Sequence, residues 1–239
     1  MSEAKKTEAE TLDAARAALV EAALPHVAFD GWTRATFDAA VADSGVAPDV
    51  AALAAPRGGL DLAVGFHRLG DRRMAEGAST LGLEDMRYSE RVARLIEYRL
   101  EVAGSDREAV RRGATLFSLP IHAPEGARLI WGTADAIWNA LGDASRDYNW
   151  YTKRAILSGV YSSSVLFCLG DESEDRAATR AFIDRRIDNV MQFEKTKAKL
   201  RDNKLATALF AGPKAILDRF AAPSARPSNL PVGFPGRRD

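Results

Sequence analysis

Apolar residues recur three and four positions apart along almost the whole of this 239-residue chain, and no run alternates Val, Ile or Thr with polar residues. That spacing lays one apolar stripe along a helix and cannot lay one along a strand, so the chain reads as all-α. Hydrophobic residues make up 46% and charged residues 28%, enough to bury a core and keep the surface wet. The length allows one large domain or two small ones.

Local punctuation divides the pattern. A first helix is expected from about Leu12 to Val27, with Thr11 as a possible cap. Gly31 permits a turn, and Thr33 can cap a second helix reaching about Ala42. Asp43-Ser44-Gly45 turns the chain, and Pro48 suits the first turn of a short third helix through Ala54. Longer helices follow near 60–78, 89–103, 106–118, 125–141, 149–169 and 174–201. The expected organisation is a helix-turn-helix-like region over 1–57, a helical body over 58–201, an amphipathic helix over 202–221 and a Pro-rich flexible tail over 222–239.

Little in the composition asks for catalysis. Cys168 stands alone within an apolar run and reads as a small core residue, with no disulfide and no zinc motif. His26, His67 and His122 lie far apart and fit no metal-ligand spacing, so each reads as structural or solvated. Ser162, Ser163 and Ser164 lack a nucleophile elbow; they suit close helix packing or bonds to the preceding turn, and a helical hydrolase is the weakest of the readings. Asp171, Glu172, Glu174 and Asp175 gather where a helix N-terminus favours negative charge. No metal and no cofactor is expected. The first residues, with four Glu before Leu24, resemble neither a secretory signal nor a transit peptide, and no apolar run is long enough to span a bilayer.

The net charge is zero but unevenly placed. From Lys195 to the end there are ten Lys or Arg against three Asp or Glu, so the remainder is acidic by the same margin. On a helical wheel Leu205, Leu209, Phe210, Ile216, Leu217 and Phe220 fall within an arc of about 140°, with Lys204, Lys214, Asp218 and Arg219 outside it. A basic amphipathic helix of this kind suits an anionic membrane surface; the competing reading folds it back on the body or across a dimer partner. Gly212-Pro213 would kink or split it.

Three short helices before a larger helical body resemble the layout of TetR-type transcription factors, with residues 22–46 matching their first two helices and turn. The charges oppose DNA binding. Between Thr33 and Arg57 stand the bases Arg34 and Arg57 against the acids Asp38, Asp43 and Asp49, and the third helix, PDVAALA, offers no base, amide or hydroxyl to a base edge. The expected scaffold keeps the helix-turn-helix and has lost DNA, so no nucleic-acid partner is expected.

The segment NWYTKRAILSGVYSSS, followed by RAFIDRRIDNVMQFEKTKAKL, resembles the ubiquinone-biosynthesis Coq-nine family, and the likeness extends to the first two helices. The resemblance implies a TetR-like homodimer that is not an enzyme, binds isoprenoid lipid and quinone-pathway intermediates, and associates with the pathway's di-iron hydroxylase. It also implies a C-terminal helix that engages the membrane. Because the chain starts almost directly at its first helix, a bacterial protein is expected, in the cytoplasm and peripheral on the inner face of the cytoplasmic membrane.

Carried onto this chain, the family's docking surface falls on Asp147, Asn149, Trp150 and Tyr151, with Arg154 one turn on. Trp, Tyr and Arg are the usual anchors of an interface. The alternative packs Trp150 into the core with Tyr151 over it. A polyprenyl tail needs a long apolar cavity, and Leu129, Ile130, Trp131, Ile137, Trp138, Leu157, Val160, Tyr161 and Val165 are its candidate walls, each equally explicable as ordinary core. The resulting expectation is a non-catalytic protein that takes a polyprenylated quinone precursor at the membrane and presents it to the hydroxylase. The competing function is a TetR-type ligand-responsive regulator.

Overall fold

The structure, a computed structural model, describes the backbone of residues 2–103, 106–143 and 148–202, and the side chains of 9–103, 106–143, 150–190 and 192. Every regular element among the described residues is helical: α1 (Ser2–Asp30), α2 (Arg34–Ser44), α3 (Pro48–Ala54), α4 (Gly59–Gly77), α5 (Tyr88–Ala103), α6 (Arg107–Ser118), α7 (Ala123–Ala140), α8 (Tyr148–Gly170) and α9 (Ala177–Asp202). Short 3-10 turns join some of them. The expected amphipathic helix over 202–221, with Leu205, Leu209, Phe210, Ile216, Leu217 and Phe220, lies outside the described residues, as does the Pro-rich tail.

The local signals set the helix ends. Gly31 takes φ +67°, which lets the chain reverse after α1. The Thr33 side chain accepts from the Thr36 backbone N–H at the start of α2, and Gly45 closes that helix in the left-handed region at φ +69°. Pro48 opens α3, where its missing N–H costs nothing. One boundary differs: α1 begins at Ser2, about three turns before the expected Leu12. Residues 2–11 are mostly Ala, Glu and Lys, good helix formers that extend a helix without an apolar stripe to announce it.

The helices close around two cores. Leu19, Val20, Ala23 and Val27 of α1 pack with Phe37 and Ala40 of α2, Ala51 and Ala54 of α3, and Leu62 and Ala63 of α4. The second core gathers Met74 of α4, Leu95 and Ile96 of α5, Ala134, Ile137 and Trp138 of α7, Leu157, Val160 and Tyr161 of α8, and Ile183 and Ile187 of α9. Helix α4 belongs to both and is the beam between them. Trp32 ties the first core to α6: its ring packs 5.5 Å from Phe66, and its indole N–H donates to the Ala109 carbonyl at 3.1 Å.

The start of α4 is pressed directly onto the 32–33 turn. A Cβ on Gly59 would stand 2.6 Å from the carbonyl carbon of Trp32, and backbone cannot step aside as a side-chain tip can. Gly59→Ala is therefore expected to cost about 1–3 kcal/mol in denaturant unfolding. Ala substituted at Gly132, where a Cβ would meet nothing within 4 Å, should cost nothing and serves as the control.

Candidate functional site

Two places draw together residues with functional potential: a cavity between the cores, and an aromatic cluster at the start of α8.

The cavity has a volume of about 330 Å³ and is walled by five helices: Phe66 and His67 of α4, Arg99 and Leu100 of α5, Val110 and Phe117 of α6, Leu129 and Ile130 of α7, and Tyr161, Val165 and Cys168 of α8. That volume sits at the small end of ordinary ligand sites, and the lining is mostly hydrocarbon. Of the expected walls, Leu129, Ile130, Tyr161 and Val165 line it. Ile137, Trp138, Leu157 and Val160 pack instead in the second core, and Trp131 stacks toward Trp150. Cys168, expected in the core, is half-buried, packed against the second core and on the cavity wall. The α6 wall and the polar members His67 and Arg99 are not among the walls expected from the sequence. The signal available for α6 was its apolar spacing at 109, 110, 114 and 117; for His67 it was an acid, Asp71, one turn on.

A polar cluster stands against this cavity. Arg99 is 3% exposed; its Nε donates to Asp71 Oδ1 at 2.7 Å and its Nη2 to the His67 carbonyl at 2.9 Å. The Thr133 hydroxyl lies 2.9 Å from the same Asp71 oxygen and 2.8 Å from His67 Nε2. The Arg99 guanidinium stands 5.8 Å from the centre of the Tyr161 ring. Burial pushes the His67 pKa down to about 4, with Asp71 opposing and Arg99 adding to the fall. Burial likewise raises the Tyr161 phenol. At neutral pH the cavity therefore meets an uncharged imidazole and an uncharged phenol.

At the start of α8, Trp150 and Tyr151 are half-buried, with their rings edge to face at 4.8 Å, and Trp131 lies 6.0 Å from Trp150. Arg154 is not on the surface: it is 1% exposed, and its guanidinium lies 4.0 Å from the Trp150 ring centre. Its Nε donates to Asp135 at 2.6 Å and its Nη1 to Asp143 at 3.3 Å. Lys153 also reaches Asp143, at 2.7 Å, and stands 5.4 Å from the Trp138 ring. Arg154 thus holds Trp150 from beneath and ties α8 to α7. Asp147 and the Asn149 side chain lie outside the described residues.

The remaining motifs have local explanations. The hydroxyls of Ser162, Ser163 and Ser164 donate to carbonyls of Gly159 or Val160 in the preceding turn. Asp171 caps the start of α9, accepting from Ser173 and Thr179, and these bonds hold its carboxyl well below the usual range. Both bases of residues 33–57 are ion-paired, Arg34 with Asp38 at 2.8 Å and Arg57 with Glu125 at 2.9 Å. Leu53, on α3, is 68% exposed.

Comparison with known proteins places this geometry. Residues 123–194, which span α7, α8 and part of α9, match the family model described as COQ9. The rat mitochondrial ubiquinone biosynthesis protein COQ9 is 32% identical over 122 residues, covering 51% of this chain and 39% of that protein. The Drosophila melanogaster protein of the same name is 28% identical over 187 residues, covering 77% of this chain and 57% of the relative. The chain thus spans less than two thirds of the length of these relatives. Among solved structures, a TetR transcriptional regulator from Nitrosomonas europaea aligns with TM-score 0.58 and 24% identity over 72% of this chain and 95% of that one. That likeness bears out the TetR-like all-α fold.

The depressed His67 pKa has a consequence for stability. The folded state holds this imidazole neutral to about pH 4, whereas an unfolded imidazole protonates near 6.5. The contribution is fully present above about pH 6.5 and is lost as pH falls through the window down to about 4, amounting to about 3 kcal/mol at most. His67→Gln should flatten that part of the stability profile in chemical denaturation between pH 7 and 4.5; an unchanged slope would show that His67 is not held neutral by the fold.

Proposed function

We propose, from the match of residues 123–194 to the COQ9 family model, that the chain is a non-catalytic accessory protein of ubiquinone biosynthesis. It binds a polyprenylated quinone intermediate and presents it to the pathway's di-iron hydroxylase. The observation that carries this reading is the apolar cavity of about 330 Å³ between the two cores. A hydrocarbon tail needs such a space, and removing it from water is favourable by about 0.8 kcal/mol per CH₂. The cavity is walled in part by the family segment, through Leu129, Ile130, Tyr161 and Val165.

Supporting roles fall to the other features. Trp150 and Tyr151, held over the Arg154 ion cluster, form a preorganised aromatic surface for the hydroxylase, with Asp147 and Asn149 beside them in sequence. The basic residues and the apolar set Leu205, Leu209, Phe210, Ile216, Leu217 and Phe220 bring the protein to an anionic leaflet. No helix among the described residues is long and apolar enough to cross a membrane, and the attachment in this proposal is peripheral. The homodimer belongs to the same proposal. The regulator reading is favoured by the TetR-like fold, but fold alone does not assign function. The ion-paired Arg34 and Arg57 and the non-polar α3 leave it little with which to grip phosphate.

Mass spectrometry of solvent extracts from protein made in a quinone-producing bacterium should find an isoprenoid quinone or precursor. Leu129→Trp, which puts an indole into the cavity, should remove most of that lipid while helical circular dichroism is kept; equal lipid in the variant would place the ligand elsewhere. Trp150→Ala should weaken capture of the hydroxylase about tenfold or more without changing the lipid, and unchanged capture would remove the aromatic surface from the proposal.

A further inference from the structure

The polar cluster fixes the protons of the cavity wall, and with them the kind of head group it can recognise. Thr133 has one hydroxyl proton. Its neighbours are Asp71 Oδ1 at 2.9 Å and the Leu129 carbonyl at 3.3 Å, both acceptors. Whichever of the two takes that proton, the 2.8 Å contact between His67 Nε2 and the Thr133 oxygen must be made with the proton on Nε2. The ring is neutral, because burial holds its pKa near 4. Nδ1 then carries a lone pair and no proton, and no described residue donates to it. His67 lines the cavity, so an unmet acceptor belongs to an otherwise largely apolar wall. A ligand that fills the cavity covers that lone pair, and covering it is costly unless the ligand donates to it.

We propose that the cavity selects an apolar ligand whose head carries a hydroxyl, a phenol or hydroquinone with a hydrocarbon tail, and that this hydroxyl donates to Nδ1 of His67. The inference rests on the cavity being the lipid site, as proposed above, and adds the oxidation and substitution state of the head. A quinone or a methyl ether offers oxygen lone pairs alone and leaves Nδ1 without a donor. The reduced or phenolic form of a given ligand is therefore held in preference to its quinone.

The test uses the full chain and two small probes, 4-hexylphenol and its methyl ether 4-hexylanisole, which share ring and tail and differ in the donated proton. Affinities are read by ligand-observed NMR titration. Two variants separate the ring nitrogens. His67→Gln places an amide near Nε2 and leaves Nδ1 vacant; His67→Asn places an amide oxygen near Nδ1. The phenol-to-ether affinity ratio should fall about fivefold in His67→Gln relative to the unsubstituted protein, the size of one hydrogen bond. It should be largely kept in His67→Asn. A ratio unchanged in His67→Gln overturns the hydroxyl assignment and leaves the cavity as an apolar site. If neither probe binds the unsubstituted protein, or Leu129→Trp leaves both affinities unchanged, the cavity reading itself fails and this inference with it.

Discussion

The ion pair of Arg99 with Asp71 is the joint on which the rest of the structure turns. It lies where α4 passes from the first core to the second, and it binds α5 to α4 through the Asp71 carboxylate and the His67 carbonyl together. The same carboxylate accepts from Thr133 and so fixes α7. A Cβ on Gly70 would stand 2.6 Å from the guanidinium carbon, so the absence of a side chain there is what lets Arg99 lie flat against α4. Taking two charges out of water is expensive, and a buried pair is a poor source of net stability. What this pair supplies is position: three helices meet at one depth and angle, and the space they leave toward α6 and α8 is the cavity.

A second buried guanidinium does the same work within the segment that matches the family model. Arg154 joins α8 to Asp135 of α7 and to Asp143, and its flat face supports Trp150. Under the proposed function, the two clusters divide the labour of a presenting protein. One shapes an interior space and sets the protons on its wall. The other stiffens an aromatic pair that would otherwise lose conformational freedom on meeting a partner. The helix-turn-helix region, with Arg34 and Arg57 paired to acids, serves as a packed end to the first core.

Local grammar was legible in the sequence, and distant pairing was not. Thr33, Gly31, Gly45 and Pro48 mark helix ends because each acts on backbone within a few residues. The stripe on α8 marks apolar positions but cannot sort them. Leu157 and Val160 pack in the second core alone, while Tyr161 and Val165 touch that core and also line the cavity, and neighbouring positions on one apolar stripe differ only in what stands opposite. Arg154 read as a surface anchor because its partners, Asp135 and Asp143, arrive from another helix and a connecting turn. His67 read as structural for the same reason: Thr133 is 66 residues away.

The central claim is that the ligand lies between the two cores. The most direct measurement is photo-crosslinking with a farnesyl phenol that carries a diazirine in its tail, followed by mapping of the labelled peptides. The account predicts labels on Val110 or Phe117 of α6, Ile130 of α7 and Val165 or Leu166 of α8, all suppressed by excess unlabelled compound. Competed labelling confined to peptides that do not border the cavity would contradict it.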